Sequence, residues 1–600
     1  MNSGKILPRS EAVREYTWAT EDLYSEDKDF LDALNTFKDY ISKMNILKAK
    51  GISNAASLLE YYRLQDEIIP LTDRVSHYAM LKSDTDTADG TYLDFKNRVS
   101  SLITEYNSAS SFFMPGLMAL SDETLNGYYE SEPDLMFYRA DIEDNRRFLS
   151  HTLDEQGEML LAMAGEIKDT PHNVFGLFSN ADLKFGTISH NGNEYPLTQG
   201  TFVPLLQNPD RELRKKVFKT FYAAYDNFKN TCAALLDGQV KALAFEAKAR
   251  KYNSALEAAL FNSNVSPLVY RNLIDAVHNN MHYMHEYVSL RKELLSVDEL
   301  HMYDVYAPLV PDSTRVISYE EAKEDVINAL SVFGDEYVSI VKSAFNNRWI
   351  DVYENKGKRS GAYSAGALEH PYILLNYKDN LDSEFTLAHE MGHAMHSYLS
   401  NTTQAPLYAG YEIFVAEVAS TCNEALLMQY LLGRTKDKKE KACLINYFLE
   451  QFKGTVYRQT MFAEFELKIN EMFAAGESLT AEVLCNEYRK LNAFYFGKDM
   501  VIDEEIALEW ARIPHFYYNF YVYQYATGFC AAIALSGAIL KEGRPAVERY
   551  LKFLSSGHTK DPVSLLKEAG VDMADSKPIE MALKTFGELI GELKATLLSD

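Results

Sequence analysis

Glycine and proline are scarce in this 600-residue chain: 29 Gly and 17 Pro fall well below the usual shares of about 7% and 5%. So few chain breakers over such a length predict many helices. Cysteine is scarcer still. Cys232, Cys422, Cys443, Cys485 and Cys530 are too scattered for a disulfide framework or a Cys-x-x-Cys metal site, and an odd, sparse set fits a reducing cytoplasm. Positive charge is also short: 60 Lys plus Arg against 86 Asp plus Glu leave a formal net charge of −26. That balance repels phosphate backbones and anionic head groups, and so disfavours a nucleic-acid scaffold or a membrane-surface binder. Residues 1–20 carry charges throughout and lack the apolar core of a signal peptide. The most apolar later run, Phe529–Leu540, is shorter than the roughly 20 residues a bilayer span needs, and reads as a buried helix. None of the three Gly-Lys pairs is followed by Ser or Thr, so there is no phosphate-binding loop. No internal repeat or low-complexity tract appears.

What is present is enough apolar material for a large core. Hydrophobic residues make up 47% of the chain, which excludes disorder, and 68.2 kDa suits two or three lobes or one large helical body. Phe30, Leu34, Phe37, Ile41 and Met44 recur at helical spacing, and similar stretches continue to about residue 120. The texture changes near residue 184, where Asn191-Gly192 between β-prone residues signals a hairpin. Helices resume from about residue 210. This gives an expected N-terminal helical lobe over 1–200, ending in the hairpin, and a second domain over 201–600, which holds the segment that carries the chemistry. A second irregular stretch holds the loop Lys356–Gly361 and a short buried strand within Tyr372–Tyr377. The overall expectation is a mainly α fold with a small β element shortly before the segment that carries the chemistry.

That segment is Leu387-Ala388-His389-Glu390-Met391-Gly392-His393-Ala394-Met395-His396. Ser383 is expected to cap a helix running to about Leu399, with Glu384 in its first turn. On that helix His389 and His393 lie one turn apart on the same face, and Glu390 projects beside them. Two neutral imidazoles and an adjacent carboxylate are what one catalytic zinc ion requires: ligands, and a base for the attacking water. The helix is apolar nearly all round, which implies burial, and burying these groups without partners would cost several kcal/mol. His396 stands seven residues beyond His389, about 10.5 Å along the axis, too far to share the ion. It is placed behind the ligands or on the substrate side, with a packing role as the alternative. His278, His282 and His285 also recur at helical spacing, but no glutamate follows His278, and no metal is expected there.

An open catalytic zinc keeps three protein ligands, so one must come from elsewhere. The next helix, expected from about Tyr411, carries Glu417 in an apolar run, where a metal bond would compensate a lone carboxylate. Ser420 and Glu424 fall on the same face and are expected to orient the histidines.

The run Lys358-Arg359-Ser360-Gly361-Ala362-Tyr363-Ser364, then Pro371–Tyr377, then the His389 motif, resembles oligoendopeptidase F, one of the thimet-oligopeptidase-like zinc peptidases. Ile513-Pro514-His515-Phe516-Tyr517-Tyr518-Asn519-Phe520-Tyr521-Val522-Tyr523-Gln524-Tyr525-Ala526-Thr527-Gly528 resembles its C-terminal active-site block. Ser576-Lys577-Pro578-Ile579-Glu580 resembles its terminal helix. These motifs span roughly residues 355–590. The first 200 residues match more loosely, through His151-Thr152-Leu153-Asp154. The resemblance implies a helical zincin-type shell around a deep channel, zinc on His389, His393 and Glu417, and Glu390 as general base. It also implies a segment binding the substrate carbonyl, which maps to His515 and nearby tyrosines. A helix from Pro514 would put Tyr518, Tyr521 and Tyr525 on one face, leaving Tyr517 and Tyr523 to packing. Gly361, Ala362 and Tyr363 are assigned to pairing with the substrate backbone.

The function expected is therefore a cytoplasmic zinc endopeptidase acting on short, unstructured oligopeptides, with no nucleic-acid or membrane partner. Two alternatives stand beside it. A zinc carboxypeptidase or dipeptidase on a similar shell would need a site for a terminal carboxylate. A helical peptide-binding protein with structural zinc would need a fourth protein ligand.

Overall fold

The computed structural model of the chain describes residues 6–310 and 315–598; residues 1–5 of the charged N-terminal stretch lie outside the described residues. The protein is 73% helical with few strands, as the scarcity of breakers predicts. Asn191 and Gly192 turn at φ of 50° and 80° between strands Thr187–His190 and Asn193–Pro196, which pair antiparallel. Positive φ at both central residues is the hairpin geometry that Asn-Gly selects.

The chain separates into two compact units, each assembled from three stretches. Residues 1–150, 315–430 and 535–570 form one; 151–314, 431–534 and 571–600 form the other. The division expected at residue 200 thus falls inside the second unit, and the hairpin with it. Sequence texture follows local structure, whereas a core follows what packs. In the first unit, helices Asp27–Lys50, Ala55–Thr85 and Gly90–Ser110 share one hydrophobic cluster with Ala365, Tyr372 and Leu374 of a distant sheet. That cluster ties the N-terminal helices to the region of the motif.

The sheet has three short strands. Ile350–Asp351 lies parallel to Tyr372–Leu374, and Tyr363–Ala365 lies antiparallel on its other side, so Tyr363–Ala365 is an edge strand. Its end is fastened to the motif helix, where Asn401 Nδ2 donates to the carbonyls of Gly366 and Ala367, each at 3.1 Å. A Cβ on Gly366 would stand 2.5 Å from Ser397 Oγ, so glycine is what allows strand and helix to meet there.

In the second unit, Glu509 is buried against Arg458 Nη2 at 2.6 Å, Arg512 Nη2 at 2.8 Å and the Tyr488 hydroxyl at 2.7 Å. This cluster fixes the short helix Glu504–Arg512, which leads directly into Pro514 and His515. The helix Tyr523–Glu542 is long and apolar enough by composition to cross a membrane, but 72% of its apolar window is buried within the fold. Packing accounts for its composition.

Candidate active site

The motif lies on helix Leu381–Thr403, capped by Asn380, whose side chain accepts the Ser383 N–H. The cap is therefore three residues earlier than the expected Ser383. Ser383 Oγ instead accepts the Lys378 N–H. Phe385, Leu387, Ala388, Met391, Ala394 and Met395 are all at most 1% exposed, as the all-round apolar pattern predicts.

The second helix, Ile413–Arg434, crosses the first at Gly392. A Cβ there would lie 2.6 Å from the Ala419 carbonyl oxygen and from Ser420 Cα. The two backbones touch, and Asn423 Nδ2 donates across the crossing to the Ala388 carbonyl at 3.2 Å. Only a residue without a side chain permits this approach, and it is what brings Glu417 up to the histidines. A Gly392→Ala substitution is expected to destabilise the protein by about 1–3 kcal/mol by overpacking and to weaken metal binding as the helices part. Thermal unfolding and zinc titration on the same preparation check both.

His389, His393 and Glu417 are the only group of potential metal ligands among the described residues, with all donor atoms within 4.8 Å of one another. Glu417 Oε2 stands 3.3 Å from His389 Nε2 and 3.7 Å from His393 Nε2, and the two rings lie nearly perpendicular at 83°. Zinc bonds of about 2.0–2.1 Å at tetrahedral angles put donor atoms about 3.3–3.4 Å apart, so these residues fit a single ion. Glu417 differs from its expected burial: 37% of its side chain is exposed. His278 contacts Glu464 and His285 contacts the Phe494 carbonyl, so that histidine run forms no centre.

Each ligand is held from behind. His389 Nδ1–H donates to Glu424 Oε1 at 2.6 Å, leaving Nε2 for a metal. The backbone of Ala416 hydrogen-bonds His393. Ser420, expected to orient a histidine, donates instead to Glu417, to Oε2 at 3.0 Å and to its carbonyl at 3.1 Å.

The electrostatics separate the groups. Burial opposes charge on His389, but the Glu424 carboxylate outweighs it and carries the pKa up to about 9. Burial, and then the charge of His389, push His393 down to about 4. A metal must displace the proton on His389 Nε2, while Glu424 keeps the one on Nδ1. Glu390 is 6% exposed, and burial pushes its carboxyl up to about 7 against the attraction of His389. Its Oε2 has no hydrogen-bond partner.

The remaining residues fall in three places. His396, expected behind the ligands or on the substrate side, is 1% exposed and stacks on Tyr411 at 3.7 Å and 8°. Its ring is enclosed between Tyr411 and Phe553, away from the partly exposed face that carries His389 and His393, so it packs instead of meeting substrate. Gly361 and Ala362 lead into the edge strand, with Asn376 Nδ2 donating to the Gly361 carbonyl at 2.8 Å. The Tyr363 hydroxyl is committed to Asp84 Oδ2 at 2.9 Å, which leaves the strand's backbone rather than the phenol for pairing.

The third place is in the other unit. The single helix expected from Pro514 does not form. A short turn of helix Pro514–Tyr517 ends at Tyr518, Asn519 and Phe520 take φ of 55° and 58°, and the next helix starts at Tyr523. Left-handed backbone ends a right-handed helix and costs about 1–2 kcal/mol per residue. The residues are nevertheless gathered: His515 lies 5.4 Å from Tyr518 and 6.1 Å from Tyr525, and Tyr525 lies 5.3 Å from Tyr521. Tyr517 and Tyr523 are buried and Tyr518 is 43% exposed. Burial pushes His515 below its ordinary pKa.

The sequence profile of Peptidase family M3 matches residues 204–585, and that of Oligopeptidase F matches 117–185. The chain belongs to peptidase family M3. Oligopeptidase PepF of Bacillus subtilis is 44% identical over 598 residues, covering 99% of this chain and 89% of that protein. An oligoendopeptidase F homolog of Lactococcus lactis subsp. lactis is 38% identical over 589 residues, covering 98% of each. The crystal structure of oligoendopeptidase-F from Enterococcus faecium superposes with a TM-score of 0.74 at 37% identity, over 96% of this chain and all of that one. This M3 peptidase is a metalloendopeptidase of helical fold, and peptide cleavage is its activity. Gly392, Asn423 and Asp84 escaped the reading of the sequence. Gly392 alone carried a signal, as the one residue without a side chain inside the motif.

Proposed function

We propose that this M3 peptidase is a cytoplasmic, zinc-dependent endopeptidase that hydrolyses internal bonds of short oligopeptides. The observation that carries the reading is the convergence of His389, His393 and Glu417 on one point, with the buried Glu390 beside it. Bound zinc would polarise the scissile carbonyl and acidify water. Glu390, one carboxyl oxygen free of protein partners, takes the proton from the attacking water and passes it to the leaving amine. A carboxyl held near pKa 7 by burial is suited to both steps. Glu424 keeps His389 in the tautomer that presents Nε2. The free edge of Tyr363–Ala365 offers backbone groups to an extended peptide, the usual way a strand edge takes a ligand.

The donor to the substrate carbonyl oxygen is assigned to the His515 segment. A phenol stays protonated at neutral pH and can donate to a developing oxyanion. With His515 disfavoured as an imidazolium by burial, Tyr518, Tyr521 and Tyr525 are the preferred donors. One of Tyr518→Phe, Tyr521→Phe and Tyr525→Phe is expected to lower kcat by about 10² to 10³ with little change in KM. His515→Ala completes the panel. Near-normal kcat in all four, with zinc retained, moves the donor elsewhere.

The reaction class is tested by mass spectrometry of peptides of graded length blocked at both ends, with and without chelator. Internal cleavage of blocked peptides, abolished by chelation, is expected. Cleavage that requires a free carboxyl terminus points to a carboxypeptidase. Native globular proteins are expected to be cut far more slowly than short peptides; equal rates contradict the oligopeptide specificity.

A further inference from the structure

Asn519 and Phe520 are two consecutive left-handed residues, and neither is glycine. A bulky residue at positive φ is an outlier that surrounding structure must enforce. Two buried side chains on two helices do so. Glu466, 1% exposed on helix Arg458–Ala474, accepts the Phe520 N–H with Oε1 at 2.7 Å. Gln239, 7% exposed on helix Lys229–Ala249, donates through Nε2 to Asn519 Oδ1 at 3.0 Å. The Phe520 ring is 1% exposed and packs on Tyr270 at 5.8 Å, whose hydroxyl donates to the Ala463 carbonyl one turn before Glu466. Backbone, side chain and ring of the pair are each gripped.

Glu466 is otherwise out of place. It forms no ion pair among the described residues, its Oε2 has no partner, and burial pushes its carboxyl up to about 8 against the Phe520 hydrogen bond. A buried carboxyl that pairs with no cation contributes poorly to stability; its geometric product is the turn. That turn folds the chain back so that His515 meets both Tyr518 and Tyr525.

We propose that Glu466 is a positioning residue for peptide hydrolysis: by holding the Phe520 N–H it keeps Asn519–Phe520 left-handed and so sets the arrangement of His515, Tyr518, Tyr521 and Tyr525. The proposal rests on the reading that this segment supplies the donor to the substrate carbonyl.

The test compares Glu466→Gln, which keeps an acceptor oxygen, with Glu466→Leu, which keeps the bulk and removes it. Each is read by kcat and KM on a blocked peptide, zinc content, and amide hydrogen exchange over residues 516–522. Glu466→Leu is expected to speed exchange at Phe520 and to lower kcat by about 10- to 100-fold, the scale of a misplaced catalytic group. KM should change by no more than about threefold, with zinc unchanged. Glu466→Gln should restore kcat to within about threefold of the parent. A merely structural carboxyl would shift the melting temperature and leave kcat of the folded enzyme alone. Should Glu466→Leu not fold, Gln239→Leu loosens the same turn from its other side, with the same expected pattern at smaller amplitude. Unchanged exchange at Phe520 overturns the proposal, as does faster exchange with normal kcat. The tyrosine and histidine panel then separates the causes. Losses there with normal kcat in Glu466→Leu refute the positioning role alone, and a silent panel refutes the donor reading and this proposal with it.

Discussion

The Glu390→Gln protein should bind zinc like the parent and lose about 10² to 10⁴ in kcat, roughly 3–5 kcal/mol of barrier. The amide has the shape of the carboxylic acid but cannot take a proton from water at neutral pH. Because Glu390 is buried, with Oε2 unpartnered, a neutral amide is no costlier there than a carboxylate, and the melting temperature should hold or rise. KM should change little, since base catalysis acts in the transition state. Turnover retained within threefold in a zinc-loaded sample would remove Glu390 from the mechanism. Zinc lost along with turnover would make it a ligand.

Glu417→Ala should do the converse. Its Oε2 is the donor nearest both imidazoles, so its loss leaves a two-histidine site. Removing a mere outer partner of a ligand costs about 10- to 100-fold in metal affinity. A ligand should cost at least about 100-fold on that scale, with activity lost at trace zinc and partly recovered as zinc is raised. Glu424→Gln, which weakens only the hold on His389 Nδ1, should fall within the 10- to 100-fold range. Competition with a chromophoric chelator ranks the three proteins. Equal zinc affinity in Glu417→Ala and the parent would show that a different residue completes the site.

The contrast between these residues shows what a sequence makes visible. The helix periodicity around His389 and His393, the adjacent Glu390 and the Asn191-Gly192 turn are local facts, written in residue type and spacing over a few positions. Glu417 was legible because a carboxylate in an apolar run needs a partner, although it proves half-exposed rather than buried. Gly392 needed the second helix on the page before its missing side chain meant a crossing. His396 was ambiguous because a helix apolar all round does not say which polar residue faces substrate and which stacks in the core. The Asn519–Phe520 turn was invisible for a stronger reason. Asn519 tolerates positive φ but Phe520 does not, and the forces that impose the turn come from Gln239 and Glu466, about 280 and 50 residues away. The two units were hidden likewise, since each is assembled from three separated stretches whose union only tertiary contacts reveal.

The proposed centre of catalysis is one zinc ion on His389, His393 and Glu417. It is tested most directly by stripping the protein of metal, adding zinc in known equivalents, and measuring turnover of a blocked peptide after each addition. Turnover should be absent at zero zinc, rise linearly and break to a plateau at one equivalent per chain. Turnover in the metal-free protein, or a break at any other stoichiometry, would contradict the account.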